Sequence, residues 1–64
     1  MDIKDMMVEV VYESKDGMFP LDIAEAVSKR FQTPITTRQV EQIVQKNPKL
    51  FVEKNSRICS PSDF

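Results

Sequence analysis

Apolar residues in this chain follow helical spacing in three successive stretches and then break into two short runs of another kind. The first stretch, DIKDMMVEVVYES, places Ile3, Met6, Met7, Val10 and Val11 on one stripe at the three-then-four spacing of a buried helix face. Asp2 is the expected N-cap and Asp5 the third helical residue, where a carboxylate suits the helix dipole. Val8 and Tyr12 fall on the opposite side, one turn apart. In a chain with so small a core, that predicts a helix sandwiched between other elements, or else a pair that seeks a partner.

SKDG reads as a turn, with Gly17, the only glycine, free to take positive φ as the terminator of the first helix. MFP is short and extended, because Pro20 disfavours helical geometry at Phe19. PLDIAEAVSKRF then predicts a second helix with Pro20 or Leu21 in its first turn. Ile23, Val27 and Phe31 make its i, i+4, i+8 line, and Ala24 and Ala26 permit close approach of a neighbour. QTPIT is a tight connection to a third helix, Thr37 to about Asn47. Its start is fully specified. Thr36 is the N-cap, Gln39 completes a capping box, and Ile35 with Val40 forms the hydrophobic staple. Val40, Ile43 and Val44 are its expected buried positions, and Pro48 closes it.

After Pro48, KLFVEK is rich in β-forming residues, NS reads as a turn, and RICS is a second extended run. Leu50 and Val52 share one face and Phe51 the other. Ile58 and Cys59 also point to opposite faces, so alternation alone does not fix the register. Pro61 ends the hairpin and SDF is a tail. The expected fold is mainly α with a small β-hairpin, in the order helix, short strand, helix, helix, hairpin, as a single domain over residues 1–64.

Composition narrows the chemistry. At 64 residues, a folded chain buries only about 60% of the surface that its unfolded form exposes, so the core must suffice alone or be helped by a partner. One cysteine and no histidine leave no intramolecular disulfide and no zinc site of the usual ligand set. No apolar run approaches the roughly 18 residues of a membrane helix, and no signal-peptide pattern is present. With the free thiol, these features predict a reducing, intracellular setting, cytoplasmic or nucleoid-associated. No nucleophile–base pair, glycine-rich phosphate loop or paired carboxylate is evident, so neither an enzyme nor a cofactor is expected, and Cys59 reads as a small core residue.

Net charge is −1, but it is divided unevenly. Residues 1–27 carry seven acids against two lysines, and residues 28–64 carry seven bases against three acids. An acidic first helix and a basic second half suggest one face for an anionic partner and another for solvent or a second protein.

The order of elements, together with PLDIAEAV, TPITTRQVEQIV and KNPKLFVEKNSRI, resembles a winged helix-turn-helix domain over nearly the whole chain. The last segment is similar to the HARE-HTH group, in which Asn-Pro, an aromatic strand and a basic hairpin follow the third helix. That group tends to carry glycine at the hairpin tip, where this chain has Asn55-Ser56. The resemblance implies double-stranded DNA as the partner, with the third helix in the major groove and the hairpin as a wing on the backbone. It implies a transcriptional regulator or accessory factor.

The residues give that reading a chemistry. Arg38, Gln42 and Gln45 point directly away from the buried side of the third helix, and Arg and Gln are suited to the edges of guanine and adenine. Thr37, Lys46, Lys54 and Arg57 are the candidate phosphate contacts, with Lys49 a further one. Lys29 and Arg30 suit the negative end of the second helix. Glu41, beside the stripe, is repelled by phosphate, though it can accept from cytosine N4. The competing reading is a protein interaction module that does not bind DNA, with Val8 and Tyr12 on the acidic first helix as a partner or homodimer surface. RNA is less well matched, because no aromatic side chain is evidently presented to stack on bases.

Overall fold

A computed structural model describes residues 1–61; the expected SDF tail, with Asp63, lies outside the described residues. Among these are helices α1 (Ile3–Glu13), α2 (Pro20–Phe31) and α3 (Thr37–Lys46), followed by strands β1 (Val52–Lys54) and β2 (Arg57–Cys59). The mainly helical α+β order with a terminal hairpin is the one that the hydrophobic pattern predicts.

The three helices meet along the stripes expected of them, except that Ile3 and Phe31, at the ends of theirs, are only half-buried. Met7 and Val11 of α1, Ile23 and Val27 of α2, Val40 of α3 and Ile58 of β2 are fully buried, with Met6, Val10, Ala24 and Phe51 close behind. Ile43 and Val44 are only half-buried, which corrects the expectation that α3 buries three residues. Both pack against the core but border a groove beside the hairpin or open surface. Val8 is also half-buried against the core. The ring of Tyr12 stays 44% exposed, yet its hydroxyl donates to the Leu50 carbonyl at 2.9 Å, tying α1 to the segment that enters the hairpin. Arg30 and Glu13 clamp α1 to α2 through two parallel hydrogen bonds of 3.0 and 2.7 Å.

Local chemistry sets the helix ends. Asp2 occupies the N-cap of α1, but its side chain makes no capping hydrogen bond. In α3 the capping box is complete: the Thr36 hydroxyl accepts from the Gln39 N–H at 3.1 Å, and the Gln39 side-chain oxygen accepts from the Thr36 N–H at 2.8 Å. At the far end Asn47 turns the chain. Its side-chain amide donates to the Ile43 carbonyl at 2.8 Å, while its own carbonyl accepts from the N–H groups of Leu50 and Phe51. These bonds hold residues 48–50 in a turn, so the first strand begins at Val52, later than the β-forming run KLFVEK suggests.

The hairpin pairs Val52 with Cys59, Glu53 with Ile58 and Lys54 with Arg57. Asn55 and Ser56 close it, both at positive φ (52° and 67°), as a two-residue type I′ connection requires. A third segment joins the outer edge of β2 at Met18, whose N–H and C=O both bond to Ile58, at 2.9 and 2.7 Å. This bridge explains the glycine. Helix α1 ends at Glu13 with Ser14 as its C-cap, so Gly17 is not the terminator. It stands opposite Cys59, where there is no room for a side chain.

Candidate nucleic-acid interface

The exposed face of α3 is built by its own periodicity. With Val40 fully buried, side chains about half a turn away must face solvent, and Arg38, Gln42 and Gln45 are all exposed there. Glu41 and Lys46 are exposed at their flanks, and Thr37, at the first helical position, is half-buried. The capping box holds the first turn, so Arg38, one residue further on, projects from a fixed end of the helix.

Between α3 and the hairpin runs a groove of about 210 Å³, lined by Glu41, Val44, Gln45, Glu53 and Ile58. The pairing explains its charge. Glu53 is the cross-strand partner of Ile58, and paired residues share a face of the sheet. Ile58 is directed into the core, so Glu53 is carried to the helix side, where it joins Glu41. Two carboxylates therefore border the groove beside Gln45.

The basic residues of the hairpin occupy its other face. Lys54 and Arg57 are cross-strand partners one position along, and side chains alternate between faces. Counting outward from the Met18–Ile58 bridge sets Phe19 opposite Arg57 and Gly17 opposite Cys59. Phe19, Arg57 and Lys54 thus form a row across three backbone segments. The Arg57 guanidinium lies 4.9 Å from the centre of the Phe19 ring. This row borders a hollow of about 560 Å³, lined also by Lys15, Asp16, Asn55 and Cys59.

The candidate contacts therefore divide into two groups. Arg38, Gln42, Gln45 and Lys46 share the exposed side of α3, whereas Lys54 and Arg57 sit on the outer face of the hairpin with Lys15 and Phe19. Sequence reasoning missed Glu53, Lys15 and Phe19. Only the hairpin register and the Met18 bridge bring them to these places, and neither is a local pattern. Arg30, expected to favour a helix end, is committed to Glu13 as well. Cys59 is buried, as a small interior residue would be. Among the described residues no helix is long and apolar enough to cross a membrane. No family model, curated protein or solved structure matches this chain.

Proposed function

We propose that this chain is a winged helix-turn-helix module that binds duplex DNA, with α3 in the major groove and the hairpin as its wing. The observation that carries this reading is the Arg38, Gln42 and Gln45 stripe, exposed opposite buried Val40 on a helix whose first turn is fixed by a complete capping box. Arg38 pairs with guanine O6 and N7, and Gln42 and Gln45 with adenine N6 and N7. Thr37 and Lys46 meet the phosphates beside the helix, and Lys54 and Arg57 those that pass the hairpin tip. Three of the four, Lys46, Lys54 and Arg57, carry charge, and three neutralised phosphates give a shallow salt slope, about −2.7 in log K against log salt concentration. Useful specificity then calls for two copies on two half-sites, or for a partner protein.

One observation favours a second reading, a protein interaction module. Glu41 and Glu53 border the groove between α3 and the hairpin, where a phosphate backbone is repelled and a basic partner is welcome. The acidic exposed side of α1, with Val8 and Tyr12, is then a further partner surface.

An amide-resolved NMR titration with a mixed-sequence duplex, at low and then physiological salt, separates the two. DNA reading predicts shifts over residues 37–46 that fade with salt and vanish in Arg38→Ala/Gln42→Ala. Affinity that survives this double change overturns the assigned face, and silence at low salt favours the interaction module.

A further inference from the structure

The bridge between Met18 and Ile58 decides what the far edge of the hairpin offers. Ile58 turns both its N–H and its C=O toward Met18, at 2.7 and 2.9 Å. In an antiparallel ladder the two groups of one residue point the same way, so Glu53, opposite Ile58, turns both of its own outward. Val52 and Lys54 turn theirs inward, to Cys59 and Arg57. No described residue bonds to the backbone of Glu53 on the outer side. The opening is short. Behind it the Phe51 N–H is given to Asn47, and ahead of it the tip begins at Asn55.

A strand added at this edge sets one of its residues opposite Glu53, and opposite residues share a face of the sheet. That face borders the groove with Glu41, Val44, Gln45 and Ile58. At about 210 Å³ the groove is smaller than the roughly 300–1,000 Å³ of small-molecule sites, and it suits a single long side chain. Its lining says which one. Val44 is half-buried and Ile58 almost fully buried, while Glu41 and Glu53 are exposed. Neither carboxylate forms an ion pair with a described residue. An arginine can lay its stem along the apolar part and turn its guanidinium to the carboxylates. A second copy of this chain fits poorly. Antiparallel pairing of two such edges sets Glu53 against Glu53, and like charges directly opposite destabilise a strand pair.

We propose that β1 and the groove beside it receive an extended segment of a partner protein, added antiparallel to β1 with an arginine opposite Glu53. The backbone of Glu53 supplies the attachment, and the groove supplies the selectivity. The inference rests on the interaction-module reading and narrows it to one surface and one kind of partner. One bridge and one charged side chain make a weak, exchanging contact, so the probe is used at millimolar concentration.

The test is an amide-resolved NMR titration with a heptapeptide of alternating threonine and valine that carries arginine at its centre. It should give saturable shifts over residues 41–45 and 52–58 and slow hydrogen exchange at the Glu53 amide. The same peptide with glutamate at its centre should give neither. N-methylation of the central arginine removes the donor for the Glu53 carbonyl and should weaken binding at least tenfold, with no change to the protein. Glu41→Gln and Glu53→Gln should each weaken it about two- to fivefold, the range of exposed ion pairs. Arg38→Ala/Gln42→Ala, which lies outside the groove, should bind the peptide unchanged.

Absence of saturable shifts at the edge overturns the proposal, and so does equal binding of the glutamate or the N-methylated peptide. Shifts at Glu53 that grow with protein concentration alone make a second copy the occupant and overturn it too. Silence at the edge with shifts over residues 5–13 of α1 removes this site and keeps the interaction-module reading. Silence everywhere, with duplex DNA shifting residues 37–46, removes both.

Discussion

Gly17 lies so close to Cys59 that a Cβ built on it would stand 2.5 Å from the cysteine sulfur and 2.9 Å from the Ile58 carbonyl oxygen. The glycine also holds φ at +84°, which an L side chain adopts only with strain of about 1–2 kcal/mol. Both costs fall on Gly17→Ala, which should lose about 2 kcal/mol or more in urea unfolding, a large share of the stability of so short a chain. Adding Cys59→Ala should recover only part of the loss. It removes the sulfur but neither the positive φ nor the clash with a backbone oxygen. Full recovery would place the whole cost in the side-chain contact and refute the strain argument.

The hairpin tip carries the opposite opportunity. Asn55 and Ser56 both sit at positive φ, a region that asparagine tolerates and serine does not. Ser56→Gly should therefore relieve strain of about 1 kcal/mol, less a few tenths for the freer unfolded chain. For a domain of this size that is a rise in Tm of about 4 °C. Asn55→Gly, by the same reasoning, should gain less. A Ser56→Gly variant that melts lower than the parent would mean that the serine hydroxyl contributes more than its backbone costs.

At the start of α3, the reciprocal bonds between Thr36 and Gln39 make a clear test of coupling. Thr36→Ala should cost about 1 kcal/mol, as loss of an N-cap commonly does. Gln39→Ala should cost less, because the Thr36 N–H that it leaves is exposed to water. Since each side chain satisfies the backbone of the other, the double variant should cost less than the sum of the single ones if the two bonds support each other. Thermal unfolding of the four proteins measures this. Strict additivity would show two independent caps.

The contrast between these sites shows what the sequence could carry. The capping box was legible because it joins residues three apart, and a local pattern survives without knowledge of the fold. The α3 stripe was legible for the same reason. Strand register was not. Ile58 faces the helices while Cys59 settles over Gly17, so both faces of β2 are covered and the polar–apolar alternation that sets register is lost. Gly17 read as a helix terminator because that is the commonest local use of glycine, whereas its actual requirement comes from a residue far along the chain. The positions of Glu53, Lys15 and Phe19 around the hairpin depend on that same register, so the charge of the groove and of the hollow could not be assigned before it was known.

The clamp between Glu13 and Arg30 predicts a pH dependence with a definite sign. Hydrogen bonds from Arg30 hold the Glu13 carboxyl below the ordinary carboxylate range, and its positive charge acts in the same direction. A group with a depressed folded pKa stabilises the fold above its unfolded pKa, and that contribution disappears as pH falls through the folded value. The loss should therefore begin just below the unfolded glutamate pKa, about 4.3, and be complete in stronger acid. The effect will be small, because both side chains are largely solvated and salt screens them. A single substitution would mislead. Glu13 ends α1, where a negative charge opposes the helix dipole, so Glu13→Gln removes a penalty together with the ion pair. A double-mutant cycle with Arg30→Ala isolates the pair. Its coupling should be favourable at neutral pH, weaker in half-molar salt and absent at pH 2. Coupling that persisted at pH 2 would show that contacts of the Arg30 stem, rather than its charge, hold α1 to α2.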